Sequence, residues 1–243
     1  MAKKSGAKIT KRSRVPSFWP VARKKKKFII TTLPGPHPKR ISYPLGVFIR
    51  DILKLVKTQR EANSAIKDGK ISVDGVIRKD LGYPVGLMDV VNVISLKKVF
   101  RLVPSQKKPL SALLIPDDEK NLKLCKITSK CSAKSGKVQY GMHDGRNILA
   151  EDETGLKPGD VCLVEIPSQK LVRAIRTQKG VKTLVLQGER AGLQGELTEI
   201  NAGTMIKKSM ATVSFGASTS KLPLHLLMTI GDEKPILTID RGE

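Results

Sequence analysis

The spacing of apolar positions along this chain changes period several times, and each change marks an element. Leu45, Phe48, Ile49, Ile52, Leu53, Leu55 and Val56 recur at helical spacing, with Arg50, Asp51, Lys54 and Lys57 on the other side. The stretch reads as an amphipathic helix, with Pro44 suited to its first turn. Thr58 and Glu61 have capping-box spacing. They predict a second, short helix with Ala62, Ala65 and Ile66 inside and Gly69 as its left-handed cap. At Ile71 and Val73 the period drops to two; Asp74-Gly75 signals a tight hairpin turn, and Val76-Ile77 starts the return. Tyr83-Pro84-Val85-Gly86 turns the chain again, into a strand over 89–94.

From Leu96 to about Val172 short alternating strands are predicted over 99–103, 122–127 and 161–166, separated by turn signals at 116–118, 134–136 and 157–160. That rhythm predicts a small antiparallel domain, a partial barrel. The remainder repeats it, with strands over 172–177, 181–187, 211–215 and 226–230 and a turn punctuated by Gly188, Gly192 and Gly195. The fold class is α+β.

Residues 1–42 show neither period. They hold thirteen Lys and Arg and no acid, Asp51 being the first, in a chain whose formal net charge is +23. Such a segment repels itself, so an extended arm that orders on a polyanion is expected. Lys11, Arg12, Arg14, Arg23, Lys24, Lys25, Lys26, Lys27, Lys39 and Arg40 are its candidate phosphate ligands. Trp19, beside Phe18, is a candidate stacking platform for bases, and His37 in the proline-rich exit is a candidate phosphate or packing contact. A solvated basic tail or an import signal is the plainer reading, but tails of that kind rarely carry a Trp and a proline-rich exit.

Hydrophobic residues make up 40% of the 243 and aromatic ones only 4%, so the cores must be aliphatic. A pI near 10.1 asks for an anionic partner, nucleic acid or an acidic membrane face. No apolar run approaches the roughly 20 residues of a spanning helix, and no signal-peptide core precedes the basic segment. An intracellular, cytoplasmic protein without a membrane partner is expected.

Cys125, Cys131 and Cys162 form no C-x-x-C pair, which points to buried reduced thiols. Cys125, Cys131 and His143 would give a metal three ligands at loose spacing, so no metal is expected. No phosphate-cradling or dinucleotide-binding glycine motif occurs, and no cofactor is expected. His143-Asp144-Gly145-Arg146 lacks a nucleophile in any known motif and reads as a hairpin turn that brings Arg146 to RNA.

Two segments resemble known modules. Leu45 to Val93, with its helix, capped helix and hairpin, resembles the RNA-binding fold named after bacterial ribosomal protein S4. Gly188-Glu189-Arg190-Ala191-Gly192-Leu193-Gln194-Gly195-Glu196-Leu197 resembles a KOW motif, which makes Arg190 a candidate contact. Their order, together with the Trp-containing basic segment ending in Pro-Gly-Pro-His, Tyr83 to Val91, Leu124 to Ile127 and His143 to Arg146, resembles the archaeal and eukaryotic small-subunit ribosomal S4e family.

That resemblance implies a basic extended arm (1–42), an S4-like α/β RNA-binding domain (43–95), a central antiparallel β domain (96–172) and an SH3-like β-barrel with the KOW motif (173–243). It also implies a non-catalytic protein bound to small-subunit ribosomal RNA and neighbouring ribosomal proteins, not an autonomous homo-oligomer. In such a fold the second helix and hairpin face RNA, which selects Lys57, Arg60, Lys67, Lys70, Arg78 and Lys79. Residues 43–95 hold eight cations against six acids, so affinity there must come from clustering rather than net charge.

Two alternatives compete. An RNA-modifying enzyme of the pseudouridine-synthase type needs an Asp in a Gly-Arg-Leu-Asp setting; the nearest string, Gly145-Arg146-Asn147-Ile148, lacks the acid. A transcription-elongation factor would use the KOW module but leaves the basic segment unexplained.

Overall fold

The computed structural model describes residues 8–22, 24, 27–106, 109–133, 136–151, 155–204, 207–216 and 218–240. The chain forms two compact units, Met1–Leu102 with Leu110–Lys120, and Val103–Pro109 with Asn121–Glu243.

In the first unit, β1 (Ile9–Lys11) pairs antiparallel with β2 (Phe28–Ile30), Ile9 opposite Ile30. The described part of the basic segment is therefore folded, which corrects the expectation of an arm extended until RNA orders it. Val15, Trp19, Ile29 and Ile30 are buried. Phe18 meets the Tyr43 ring edge-on at 5.2 Å, and Arg12 Nε and Nη2 donate to the Val21 carbonyl at 3.2 and 2.8 Å. Magnitudes explain the outcome. Repulsion among exposed charges is screened and worth under about 1 kcal/mol per pair, whereas a buried Trp contributes on the order of 3–5 kcal/mol.

β3 (Tyr43–Pro44) leads into α1 (Leu45–Val47), which widens into a π turn over Phe48–Ile52. The helix expected to reach Val56 stops early. Leu53 N–H donates to the Phe48 carbonyl and Leu55 N–H to that of Ile49, with Lys54 in the left-handed region at φ 54°. α2 (Gln59–Lys67) carries both halves of the capping box, buries Ala62 and Ile66, and ends at Gly69 with φ +74°.

β4 (Ile71–Val73) and β5 (Val76–Ile77) form the hairpin, turned by Asp74 and Gly75 at φ 51° and 76°. β6 (Pro84–Val85) pairs with β3. β7 (Val90–Val93), β8 (Lys98–Val103) and β9 (Ser111–Ile115) complete an antiparallel sheet in the order β5-β4-β7-β8-β9. Tyr43, Leu45, Phe48, Ile49, Ile66 and Val91 are buried.

The second unit holds two five-stranded sheets. β10 (Leu122–Ser132), β11 (Lys137–Met142), β12 (Asn147–Glu151), β13 (Val161–Glu165) and β14 (Lys170–Ile175) run β12-β11-β10-β13-β14. The first half of β10 pairs with β13 and its second half with β11, over a core that includes Cys125, Ile127, Tyr140 and Cys162. β15 (Lys182–Val185), β16 (Gln194–Asn201), β17 (Met210–Phe215), β18 (Ser218–Pro223) and β19 (Leu227–Gly231) run β18-β17-β16-β15-β19 around Val185, Leu197, Ala211 and Val213. Gly195, expected in a turn, lies inside β16. A Cβ there would stand 2.5 Å from the Val213 side chain, so this glycine serves close strand approach.

Candidate nucleic-acid interface

The surface that answers best to a polyanion is built on α2. Its cap fixes where the helix starts: Glu61 Oε2 accepts the amides of Lys57 and Thr58 at 2.9 and 3.3 Å, and these bonds, that of Lys57 foremost, hold its carboxyl below the usual range. From that start, Gln59, Asn63 and Lys67 fall on one helix face at four-residue spacing.

They form one wall of a groove of about 280 Å³. Lys8, Ile9, Ile30 and Leu33 bring the basic segment to it, and Lys79 to Gly82 close it from the loop after β5. Among the described residues, three lysines, Lys8, Lys67 and Lys79, thus meet one acid, Asp80. An adjoining hollow is lined by Thr58, Gln59, Arg60, Asn63 and Leu81. Cations in a concave wall focus field on a phosphate more than the same charges on a convex face.

Of the residues singled out from sequence, the fold brings Arg60, Lys67 and Lys79 together here. Lys57 is exposed just ahead of α2, and Lys70 is exposed but 3.1 Å from Asp68. Arg78 is half-buried with its guanidinium 4.6 Å over the Tyr83 ring. Lys11, Arg14, Lys24, Lys27 and Arg40 are exposed and Lys39 half-buried; Arg23, Lys25 and Lys26 lie outside the described residues.

Three residues turn out to have inward tasks. Trp19 is 1% exposed and its Nε1–H donates to the Ser42 carbonyl at 3.0 Å, so it packs the core instead of stacking on bases. His37 is buried against Asp89. Arg12 is spent on the Val21 carbonyl. Lys8, Gln59 and Asn63 escaped the sequence reading; the i, i+4, i+8 spacing of Gln59, Asn63 and Lys67 was the available signal.

In the second unit, Arg190 lies 5.6 Å over the Phe215 ring, and Gln194 Nε2 donates to Asp240. Arg146 is half-buried, its Nε 3.1 Å from Asp144 Oδ2. Asp144 also holds the fully buried Lys123 at 3.0 Å. Burial pushes the Asp144 carboxyl up, but Lys123, His143 and Arg146 outweigh it and hold the group below its usual value.

Ligand atoms of Cys125, His143 and Asp144 lie within 4.8 Å of one another, whereas Cys131 is exposed and apart from them. His143 Nδ1 accepts the Lys126 amide at 3.2 Å. Asp144 Oδ2 is thus engaged by Lys123 and Arg146, and His143 Nδ1 by the Lys126 amide. Among the described residues no helix is long and apolar enough to cross a membrane.

Comparison with known proteins agrees with this architecture. The model of the ribosomal family S4e matches residues 96–171, that of the S4 domain residues 47–91, and that of the RS4NT (NUC023) domain residues 4–40. The chain is 35% identical over 232 residues to the small ribosomal subunit protein eS4 of Pyrobaculum arsenaticum, covering 94% of this chain and 98% of that protein. It is 36% identical over 246 residues to eS4 of Methanothermobacter thermautotrophicus, covering 100% of both. The crystal structure of the 30S ribosomal protein S4e from Thermoplasma acidophilum superposes with a TM-score of 0.68 at 28% identity, covering 79% of this chain and 95% of that one.

Proposed function

The chain belongs to the ribosomal S4e family and serves as a structural constituent of the small ribosomal subunit; we propose that it does so by gripping ribosomal RNA through the groove on α2 and the exposed cations of its basic segment. The observation that carries this is the meeting of Lys8, Lys67 and Lys79 around one helix face, with Arg60 in the adjoining hollow. Binding to phosphates in this way releases counterions, so affinity scales with the ion pairs made and falls steeply with salt.

In this reading the protein performs no chemistry and its partners are ribosomal RNA and neighbouring ribosomal proteins in the cytoplasmic ribosome. Residues 1–42 supply charge, 43–95 read RNA shape, 96–172 form a central β domain, and 173–243 form an SH3-like barrel whose KOW turn presents Arg190.

Sedimentation of a cell extract tests the reading. The chain should travel with small subunits at about one copy each and leave them as salt is raised. A chain found free in the supernatant at low salt would overturn it.

A further inference from the structure

A cleft of about 490 Å³ opens in the second unit, within the size range of sites for small ligands. Its walls come from β10, the loop before β13, the loop before β17 and the turn between β18 and β19. Lys126, Lys208 and His225 give it three basic side chains, and none of its lining residues among the described ones is acidic. Pro158 and Leu224 give it apolar walls.

Lys126 is buried in the floor, its Nζ donating to the carbonyls of Leu224, His225 and Leu227 at 3.2, 3.0 and 2.5 Å. Its hydrogens are spent on protein, but no carboxylate among the described lining residues answers its charge. Two shifts follow from burial, the second with help from the neighbouring lysines. Burial pulls the Lys126 ammonium down to about 8, and His225 is held below its usual value by burial, then by Lys208 and Lys126.

We propose that this cleft receives a single unstacked nucleotide of RNA, the base between Pro158 and Leu224 and the phosphate on Lys208 and His225. The inference deepens the ribosomal RNA reading and rests on it, adding a second site on the other unit. An acidic side chain would answer the cations but leave most of an apolar cavity this size unfilled; a nucleotide does both. Polar groups stand ready for a base edge. Ser209 Oγ accepts the Gly203 amide, leaving its proton to donate, and Thr128 Oγ1 donates to the Gly141 carbonyl, leaving a lone pair to accept. An unpaired loop or bulge nucleotide fits; a base held in a duplex does not reach such a pocket.

Ultraviolet crosslinking of the full chain to single-stranded RNA carrying 4-thiouridine, followed by peptide mapping, tests this. Crosslinks are expected at residues 158–159 and 224–225 in addition to those on the first unit. Leu224→Trp, which fills the cleft, should cut them at least tenfold and leave first-unit crosslinks unchanged; Lys208→Glu, on an exposed side chain, should do the same by charge. Crosslinks confined to the first unit overturn the cleft and spare the RNA reading, while none anywhere overturns both. In a parallel titration, adenosine monophosphate should shift the amide resonances of Thr128, Lys208 and His225. Shifts produced by hexaglutamate and not by the mononucleotide would make the cleft a peptide site and overturn the proposal.

Discussion

His37 Nε2 lies 2.9 Å from Asp89 Oδ1 with both side chains buried, joining the proline-rich exit of the basic segment to the turn ahead of β7. Asp89 Oδ2 accepts the Gly86 amide at 2.8 Å, and a Cβ at Gly86 would stand 2.3 Å from the His37 ring. The carboxylate therefore answers two buried donors, and the glycine exists to let the imidazole in. Asp89→Ala should cost about 2–4 kcal/mol, because it strands both donors. Urea unfolding of the full chain measures it; a loss under about 1 kcal/mol would mean the pair is incidental.

Trp19 is the only tryptophan, so its fluorescence reports on the basic segment alone. Buried with its N–H on the Ser42 carbonyl, it should emit at short wavelength in the native state and shift red on unfolding. Trp19→Ala should cost about 3–5 kcal/mol. Added RNA should leave the emission nearly unchanged, since the indole faces are covered. Strong quenching by RNA would put the ring against bases and contradict the packing.

What could be read in the sequence divides by range. The Thr58–Glu61 box, the Gly69 cap and the Asp74-Gly75 hairpin were legible because their hydrogen bonds close within a few residues. The inward tasks of Trp19 and His37 were not, because their partners Ser42 and Asp89 lie 23 and 52 positions away. α1 ended early against its own pattern: the apolar period continues through Val56, but the chain leaves the helix at Lys54. β16 and β18 were hidden by polar outer faces. In the groove, Lys67 and Lys79 could be chosen by charge, whereas Lys8 is brought there by the β1–β2 pairing, which no local pattern announces.

Charge reversal at the groove separates binding from folding. Lys67 and Lys79 are exposed, so Lys67→Glu with Lys79→Glu should leave the unfolding midpoint nearly unchanged. RNA affinity near 0.1 M salt should fall by at least about tenfold, and the salt slope should shrink by roughly one for each phosphate no longer neutralised. Filter binding over a salt series reads both. An unchanged slope would place the phosphates elsewhere. Arg12→Ala should behave oppositely, lowering stability because its guanidinium clasps the Val21 carbonyl.

The three thiols should separate by burial. Cys131 is exposed while Cys125 and Cys162, opposite one another on β10 and β13, are buried. A disulfide-exchange reagent at pH 8 should therefore find one fast thiol per chain and two that react only on unfolding. Burial, aided by Asp160, pushes the Cys162 thiol from 9.0 up to about 11. The folded chain then holds this proton where the unfolded chain releases it. The stability so gained is whole below about pH 9 and is lost as pH climbs towards 11, amounting to about 2–3 kcal/mol. Tyr43, raised by burial to about 12, adds a loss of the same sign from about pH 10 upward. Comparing the wild-type chain with Cys162→Ala isolates the thiol, because the tyrosine contributes equally to both. Urea midpoints at pH 8 and pH 10.5 should converge for the wild type and the variant as the thiol's share disappears; parallel curves would show that Cys162 ionises as freely in the fold as outside it.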